Sequence, residues 1–287
     1  MTGAEIVKGL ITASVLLLVF ALGLRATFAD ASSLFRGLFR PPHRLLRALL
    51  AMYVVVPACA VGLSRAFGLP GAVSAAMLAM AVAPIPPILP GKQLKAGGSR
   101  DYVFGLLVAV SVCAVVLVPI AVPLLGRIVG HEASFGPLMA ARLIATSILV
   151  PLALGMTVRH FAAGPAMRIA PWASRIGTIL LVAGVVPVLI DAWPELRSIA
   201  GQGTMLAMLA LVGVAMAAGH ALGGPDPDDR STLAFATAMR HPGVGLAIAR
   251  LNVPEEPLLG AAVLLYLLAA VVATTAYALV LKRRRAP

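Results

Sequence analysis

The most constraining feature of the sequence is an apolar segment with a break and a charge near its middle. Residues 231–250 read STLAFATAMRHPGVGLAIAR and are long enough to cross a bilayer. Pro242 removes a backbone donor and clashes with the preceding turn, and Gly243 relaxes the chain after it. The break leaves unpaired backbone groups and the Arg240 cation in a medium that tolerates neither. We therefore expect this segment to be buried in protein or to line a wet cavity.

The composition indicates a multi-pass membrane protein. Of the 287 residues, 60% are hydrophobic and 12% are charged, with a mean hydropathy of +0.98. Soluble domains average about 45–50% apolar and about a quarter charged residues. The net charge of +12 does not indicate nucleic acid, because the basic residues punctuate apolar runs and form no patch. Cys59 and Cys113 lack metal-ligand spacing and there is no nucleotide-binding loop, so we expect no metal and no other cofactor.

Apolar windows of about 20 residues predict nine transmembrane helices in one domain covering residues 1–287. The spans are 5–27, 43–66, 71–97, 101–126, 137–160, 170–191, 202–223, 231–250 and 257–281. The loops after odd-numbered spans, together with the C-terminus, hold sixteen of the 23 Lys and Arg residues. Positive residues accumulate on the cytoplasmic side. We therefore expect a protein of the cell membrane with its N-terminus outside and its C-terminus in the cytoplasm.

The third span, residues 71–97, contains a second break. Residues 84–91 read PIPPILPG, and four prolines in seven residues cannot lie in a continuous helix. The third and eighth spans are an odd number of spans apart, so they run through the membrane in opposite directions. Two interrupted spans of opposite direction predict a transporter built from inverted repeats. The alternative is a pair of ordinary proline-kinked helices without a transport role.

Three stretches of the sequence resemble the bile acid:sodium symporter family. They are Phe20–Leu24 with 35–47 and Tyr53–Pro57, the third span with the Pro119/Pro123 span after it, and Ala238–Gly243. The resemblance implies a panel domain and a core domain, with two unwound helices crossing in the core beside the substrate. The family has ten helices, and the first of them is expected to be absent here. We expect the panel at 5–66 and 137–191 and the core at 71–126 and 202–281.

The resemblance also locates the sodium-site positions of the family. They fall on or near Met52, Leu89, Pro90, Leu107, Ser111, Ala236 and Arg240. Among them only Ser111 keeps a side-chain oxygen that could bind sodium, and the Arg240 cation would repel sodium. We therefore expect transport that is independent of sodium or linked to protons. Sodium coupling through a relocated ion site is the alternative.

The candidate substrate site is the crossing of the two broken spans. We expect it to comprise Pro84, Ile85, Pro86, Pro87, Ser111, Thr237, Arg240, His241, Pro242 and Gly243. No acidic residue lies in the middle of a span, so we expect Arg240 to bind an anionic ligand. The alternative is that Arg240 snorkels or pairs with the carbonyls of residues 84–91, and binding and pairing can hold at once. His241 titrates near neutrality and is a candidate proton relay. The alternative is a neutral His241 bonded to a backbone carbonyl.

Two further charged groups have a functional and a structural interpretation. Lys92 and Lys95 follow the first break and could form the rim of an inward-facing cavity that attracts anions, or they only set the topology. Asp226, Asp228 and Asp229 form a carboxylate cluster directly ahead of the eighth span. Capping of the following helix explains this cluster better than metal binding does.

The sequence as a whole predicts a secondary active or facilitative transporter of an organic anion, either a small or an amphipathic carboxylate. The bilayer is its other partner, and a proton or sodium is the candidate coupling ion. An intramembrane enzyme is a second possibility, but Ser111 and His241 lack an acidic third member. A non-transporting membrane sensor or partner subunit is a third, and no soluble signalling domain supports it.

Overall fold

The computed structural model describes residues 3–36, 43–130, 132–201 and 203–285, which form helices and loops without a strand. Residues 37–42, part of one stretch that carries the family resemblance, lie outside the described residues. The helices are α1 (Gly3–Gly23), α2 (Phe28–Arg36), α3 (Arg44–Leu50), α4 (Val56–Ala66), α5 (Gly71–Val82), α6 (Leu89–Lys95), α7 (Arg100–Val129), α8 (Pro137–Ile144), α9 (Val150–Phe161), α10 (Ala163–Asp191), α11 (Trp193–Ile199), α12 (Thr204–Leu222), α13 (Pro227–Ala238), α14 (Pro242–Asn252) and α15 (Leu259–Arg285).

Seven helical stretches of the described chain are long and apolar enough to cross a membrane. They are Glu5–Gly23, Arg44–Ala66, Arg100–Val129, Pro137–Phe161, Ala163–Asp191, Thr204–Leu222 and Leu259–Arg283. Each of them coincides with one predicted span. The two other predicted spans are divided in the structure, one into α5 and α6 and the other into α13 and α14. The all-helical architecture is thus confirmed for the described residues.

The helix α13 begins earlier than the predicted eighth span. Its first residue is Pro227, and the Asp226 side chain accepts a hydrogen bond from the Asp228 N–H at 2.8 Å. This cap satisfies one of the N–H groups that a helix start leaves unpaired. The capping interpretation of the aspartate cluster is confirmed for Asp226.

Two π-helical turns, Ala51–Val55 and Ala145–Leu149, join α3 to α4 and α8 to α9. Each ends two residues before a proline, Pro57 or Pro151. A helical proline has no N–H, and its ring clashes with the carbonyl four residues earlier, so a widened turn before it relieves the conflict. In the first turn Val56 donates its N–H to the Ala51 carbonyl.

That shift leaves the Met52 carbonyl without a backbone donor. Its ordinary helical partner would be the Val56 N–H, which is already bonded to the Ala51 carbonyl. The next residue is Pro57, which has no N–H to offer. A buried carbonyl in this position must find a donor elsewhere in the protein.

The helices pack in two groups. The helix α1 packs against α9 and α10, whereas α5 packs against α4, α14 and α15, and α12 packs against α4, α13 and α15. The helix α10 turns a largely apolar face outward, with Trp172, Ile176, Ile179 and Val182 exposed. Such a face suits contact with lipid chains, which are as apolar as these side chains.

Two glycines allow α1 and α9 to come into backbone contact. A Cβ atom on Gly155 would collide with the Phe20 carbonyl oxygen, and one on Gly23 would collide with the Leu152 carbonyl oxygen. Small residues at such crossings are a common way for membrane helices to approach closely. The α1–α9 packing therefore depends on both positions.

We expect Gly155→Ala to lower the thermal stability of the detergent-solubilised protein, because the added Cβ forces α1 and α9 apart. Overpacking of this kind costs roughly 1–3 kcal/mol. Gly62→Ala is the matched control, since a Cβ on Gly62 in α4 meets no atom within 4 Å and alanine favours the helix. The measurement is the fraction of each variant that stays folded after heating, determined by size-exclusion chromatography. Equal melting of the two variants would contradict the packing described.

Candidate functional site

The two breaks contact each other in the structure. The His241 N–H, in the break between α13 and α14, donates to the Pro84 carbonyl, in the break between α5 and α6, at 2.8 Å. All of residues 84–87 are buried, as are Arg240 and His241. The structure therefore brings together two segments that are far apart in the sequence.

Arg240 lies at this contact and is completely buried, with 0% of its surface exposed. Its Nε donates to the Thr237 carbonyl at 3.0 Å, its Nη1 to the Ala83 carbonyl at 3.2 Å and its Nη2 to the Met52 carbonyl at 3.1 Å. These acceptors belong to α13, the C-terminal end of α5 and the first π-helical turn. Carbonyls do bind Arg240, but the predicted segment was wrong, because none of the three lies within residues 84–91.

Each of these carbonyls has lost its helical donor. The Met52 carbonyl is left free by the π-helical turn and Pro57, and the residue four positions after Ala83 is Pro87, which has no N–H. The residue four positions after Thr237 is His241, whose N–H is bonded to Pro84. The guanidinium group therefore supplies the donors that the prolines and the break remove.

Two tyrosines accompany the guanidinium. Both Tyr53 and Tyr266 lie close enough to Arg240 to interact with it electrostatically. The Tyr266 hydroxyl donates to the Ala238 carbonyl at 2.9 Å. The Tyr53 hydroxyl is buried and has no hydrogen-bond partner among the described residues. No carboxylate among those residues forms an ion pair with Arg240.

The two tyrosines were missed as parts of the site, and Met52 entered only as a sodium-site position implied by the family resemblance. Pro57 was the available signal for Met52 and Tyr53, because a proline in a span marks a nearby carbonyl without its donor. Tyr266 lies in the uninterrupted helix α15. Nothing local in the sequence distinguishes it from a tyrosine that only packs.

His241 is the N-cap residue of α14. Its Nδ1 accepts a hydrogen bond from the Val244 N–H at 3.4 Å. One interpretation of the sequence expected the ring to bond to a backbone carbonyl. The structure instead bonds it to a backbone N–H. The other ring nitrogen, Nε2, is buried and has no partner among the described residues.

The remaining predicted site residues differ in their surroundings. The Thr237 hydroxyl donates to the Leu233 and Ala234 carbonyls of its own helix, both at 3.0 Å. Ser111 is buried in α7, and its hydroxyl has no partner in the described part of the chain. Pro242 is the first residue of α14, and Gly243 is exposed.

Lys92 is held by the last helix. Its Nζ donates to the Thr274 hydroxyl at 2.8 Å and the Thr275 hydroxyl at 3.3 Å, and it lies 5.7 Å from the centre of the Phe235 ring. Lys95 is exposed. Lys92 thus binds α15 through hydroxyl groups, and its role at a cavity rim stays a prediction.

An ion pair anchors the start of α13, ahead of the predicted span 231–250. The Asp229 carboxylate lies 2.9 Å from Nε of Arg44, and the Asp229 side chain is only 2% exposed. Burial raises the pKa of Asp229 to about 6, although Arg44 acts in the opposite direction. Among the described residues, no group of His, Cys, Asp and Glu side chains is arranged to hold a metal ion.

Together these features define a class of protein: a multi-pass helical membrane protein whose candidate site lies where two interrupted helices meet. The model of the Sodium Bile acid symporter family matches residues 12–193, more than half of the chain. The chain belongs to that family, as its sequence motifs predicted. Members of the family are transporters and not enzymes, which removes the enzyme alternative. The match includes the break at 84–87 and ends before Arg240. No curated protein matches the chain.

We expect the stability of the wild-type protein to rise as the pH falls from about 6.5 to about 4 because of Asp229. The pKa of this carboxyl is raised from 3.8 to about 6 in the folded state. The folded state therefore binds more protons than the unfolded state in the window between these values, so stability falls as Asp229 ionises from pH ~4 to ~6 and changes little above that range.

Asp229→Asn should flatten this pH dependence, whereas Asp191→Asn, at the exposed end of α10, should keep the wild-type slope. Melting temperatures in detergent at half-unit pH steps provide the measurement. If the curves of the Asp229→Asn variant and the wild type stay parallel, Asp229 is not the group that titrates.

Proposed function

We propose that this protein is a secondary active or facilitative transporter of an organic anion, a small or amphipathic carboxylate, in the cell membrane. One observation carries the proposal: the Arg240 charge is buried where the two breaks meet, without an ion-paired carboxylate in the described structure. Carbonyl dipoles bind three of its five N–H groups but do not cancel its net charge. An anionic ligand would neutralise it, so the site favours anions.

Within this proposal the membrane is crossed nine times, by the seven long helices and by the pairs α5/α6 and α13/α14. The pairs are the discontinuous crossing helices of an inverted repeat. The bond between His241 and Pro84 supports this, because crossing helices must meet at their breaks. The count of positive residues supports an N-terminus outside and a C-terminus in the cytoplasm.

The proposed panel consists of α1 and α8–α10, and the proposed core of α3–α7 and α12–α15. We assign residues 44–66 to the core and not to the panel, because α4 packs against α5 and α12 and Met52 binds Arg240. Alternating access then comes from movement of the core relative to the panel.

The proposed substrate-binding residues are those of the two breaks and their surroundings. They are Pro84, Ile85, Pro86, Pro87, Ser111, Thr237, Arg240, His241, Pro242 and Gly243, with Lys92 and Lys95 at the cavity rim. The fixed charge of Arg240 at the break opposes binding of a metal cation there and favours transport that is independent of sodium or linked to protons. His241 is the candidate proton carrier.

The test is uptake of radiolabelled benzoate and cholate into proteoliposomes. We expect wild-type uptake to be unchanged when sodium is replaced by N-methylglucamine. Arg240→Gln should reduce uptake at least about tenfold, equivalent to ~1.4 kcal/mol of lost attraction. Arg240→Lys keeps the charge and should retain more uptake than Arg240→Gln. Arg250→Gln, at the exposed end of α14, is the control.

The contrary outcomes separate the alternatives. Full uptake by a folded Arg240→Gln variant would rule out the binding role of the guanidinium. Uptake that requires sodium would favour a relocated ion site, and uptake that is flat from pH ~5.5 to ~8, around the usual histidine pKa, would count against the proton relay. Absence of uptake and counterflow for the wild type would favour a non-transporting sensor.

A further inference from the structure

A hydrogen-bond donor without an acceptor lies beside the Arg240 charge. The Tyr53 hydroxyl is buried, has no hydrogen-bond partner among the described residues and interacts electrostatically with the guanidinium. A buried polar group left unpaired costs free energy, so its persistence calls for an explanation. Tyr53 also lies in the π-helical turn Ala51–Val55, and such turns are frequent at functional sites.

His241 contributes a second unpaired donor, because the cap it makes determines its tautomer. Its Nδ1 accepts from the Val244 N–H, and a nitrogen that accepts carries no hydrogen. In the neutral ring the hydrogen is then on Nε2. That nitrogen is buried and has no acceptor in the described part of the chain. A second N–H is therefore buried without a partner, on the residue that follows Arg240 in the chain.

The other donors around Arg240 are largely occupied. Three of the five guanidinium N–H groups are directed at the carbonyls of Thr237, Ala83 and Met52. The Tyr266 hydroxyl is bonded to the Ala238 carbonyl. What is missing is an acceptor with negative charge. A cation would meet the like charge of Arg240, whereas a carboxylate brings two oxygens that can accept from the unpaired donors.

We infer that the Tyr53 hydroxyl and the His241 Nε2–H are the hydrogen-bond ligands of the carboxylate group, while Arg240 supplies the attracting charge. This inference rests on the proposed function and names the ligands that determine specificity in the same site. It assigns the directional contacts to two side-chain donors, the Tyr53 hydroxyl and the His241 Nε2–H, that have no partner in the described structure. Arg240, already tied to three carbonyls, acts through its charge.

The experiment measures binding of benzoate and cholate, each against its primary amide, to the purified full-length protein by isothermal titration calorimetry. The amides keep the shape but lose the charge. Tyr53→Phe removes only the hydroxyl. His241→Asn keeps a side-chain oxygen that can cap α14 but lacks the Nε2–H. Tyr102→Phe is the matched control, because its hydroxyl is equally buried and unpaired but lies beside Asp229 and Arg44.

We expect the wild type to bind the carboxylates and not the amides. Tyr53→Phe and His241→Asn should each weaken carboxylate binding by about 10- to 100-fold, the range for one hydrogen bond to a charged group. Tyr102→Phe should bind like the wild type. Tyr53→Phe should melt at the wild-type temperature without ligand, because its hydroxyl makes no bond there, so a loss of binding cannot be assigned to misfolding.

The two levels of failure differ. If the wild type neither binds nor transports carboxylates, the proposed function is wrong. If the wild type binds them and Tyr53→Phe and His241→Asn bind equally well, the proposed function stands and this assignment of ligands is overturned. A similar loss in Tyr102→Phe would also overturn it, since the effect would then belong to any buried hydroxyl.

Discussion

Three backbone carbonyls without N–H donors, and the one guanidinium group that satisfies them, form the interaction on which the centre of this structure depends. Each unpaired buried carbonyl would cost roughly 1–3 kcal/mol. A buried arginine without partners would cost several kcal/mol. Met52, Ala83 and Thr237 supply the acceptors and Arg240 supplies the donors. The unpaired carbonyls and the buried arginine are both tolerated, because the hydrogen bonds between them remove the cost of each.

The geometry of the arginine side chain makes the contact between Arg240 and the three carbonyls rigid. A guanidinium is planar and presents its N–H groups in a fixed fork, so bonds to three separate elements fix its orientation. One of those bonds links residues 188 positions apart in the sequence. The bond from His241 to Pro84 ties the same region to the break after α5. The bond from Tyr266 to Ala238 ties it to α15. Under the proposed function, the broken helices would move as one body and not slide past each other.

Much of the architecture was accessible from the sequence because membrane helices obey a simple length and hydropathy rule. The seven long helices and the interruptions near Pro84 and Pro242 follow from apolar runs and from the chemistry of proline. The role of Met52 was not accessible in this way. Whether a proline kinks a helix or widens the turn before it depends on the neighbours, and here that choice determines which carbonyl Arg240 can reach.

Side-chain partners were less accessible still. Lys92 had two interpretations in the sequence, a cavity rim or a topology signal, and neither pointed to Thr274 and Thr275, which lie in a helix about 180 residues later and accept its hydrogen bonds. Residue type and position along the chain locate a charge, but only the packing of α6 on distant helices decides which groups surround it. Tyr266 is a second example. It belongs to the site only because the packing of α15 places it beside Arg240.

The fixed charge has a consequence for transport that does not depend on the identity of the carboxylate. Under the proposed function the empty site carries one positive charge and the loaded site is neutral. Moving one charge across 100 mV is worth about 2.3 kcal/mol. A membrane that is negative inside would therefore draw the empty site toward the cytoplasm and leave the loaded site unaffected. An uncoupled carrier of this kind exports its anion, and net import against that voltage requires a co-transported cation or exchange for another anion. Because Arg240 disfavours a metal cation at the break, the proton is the coupling ion most compatible with import.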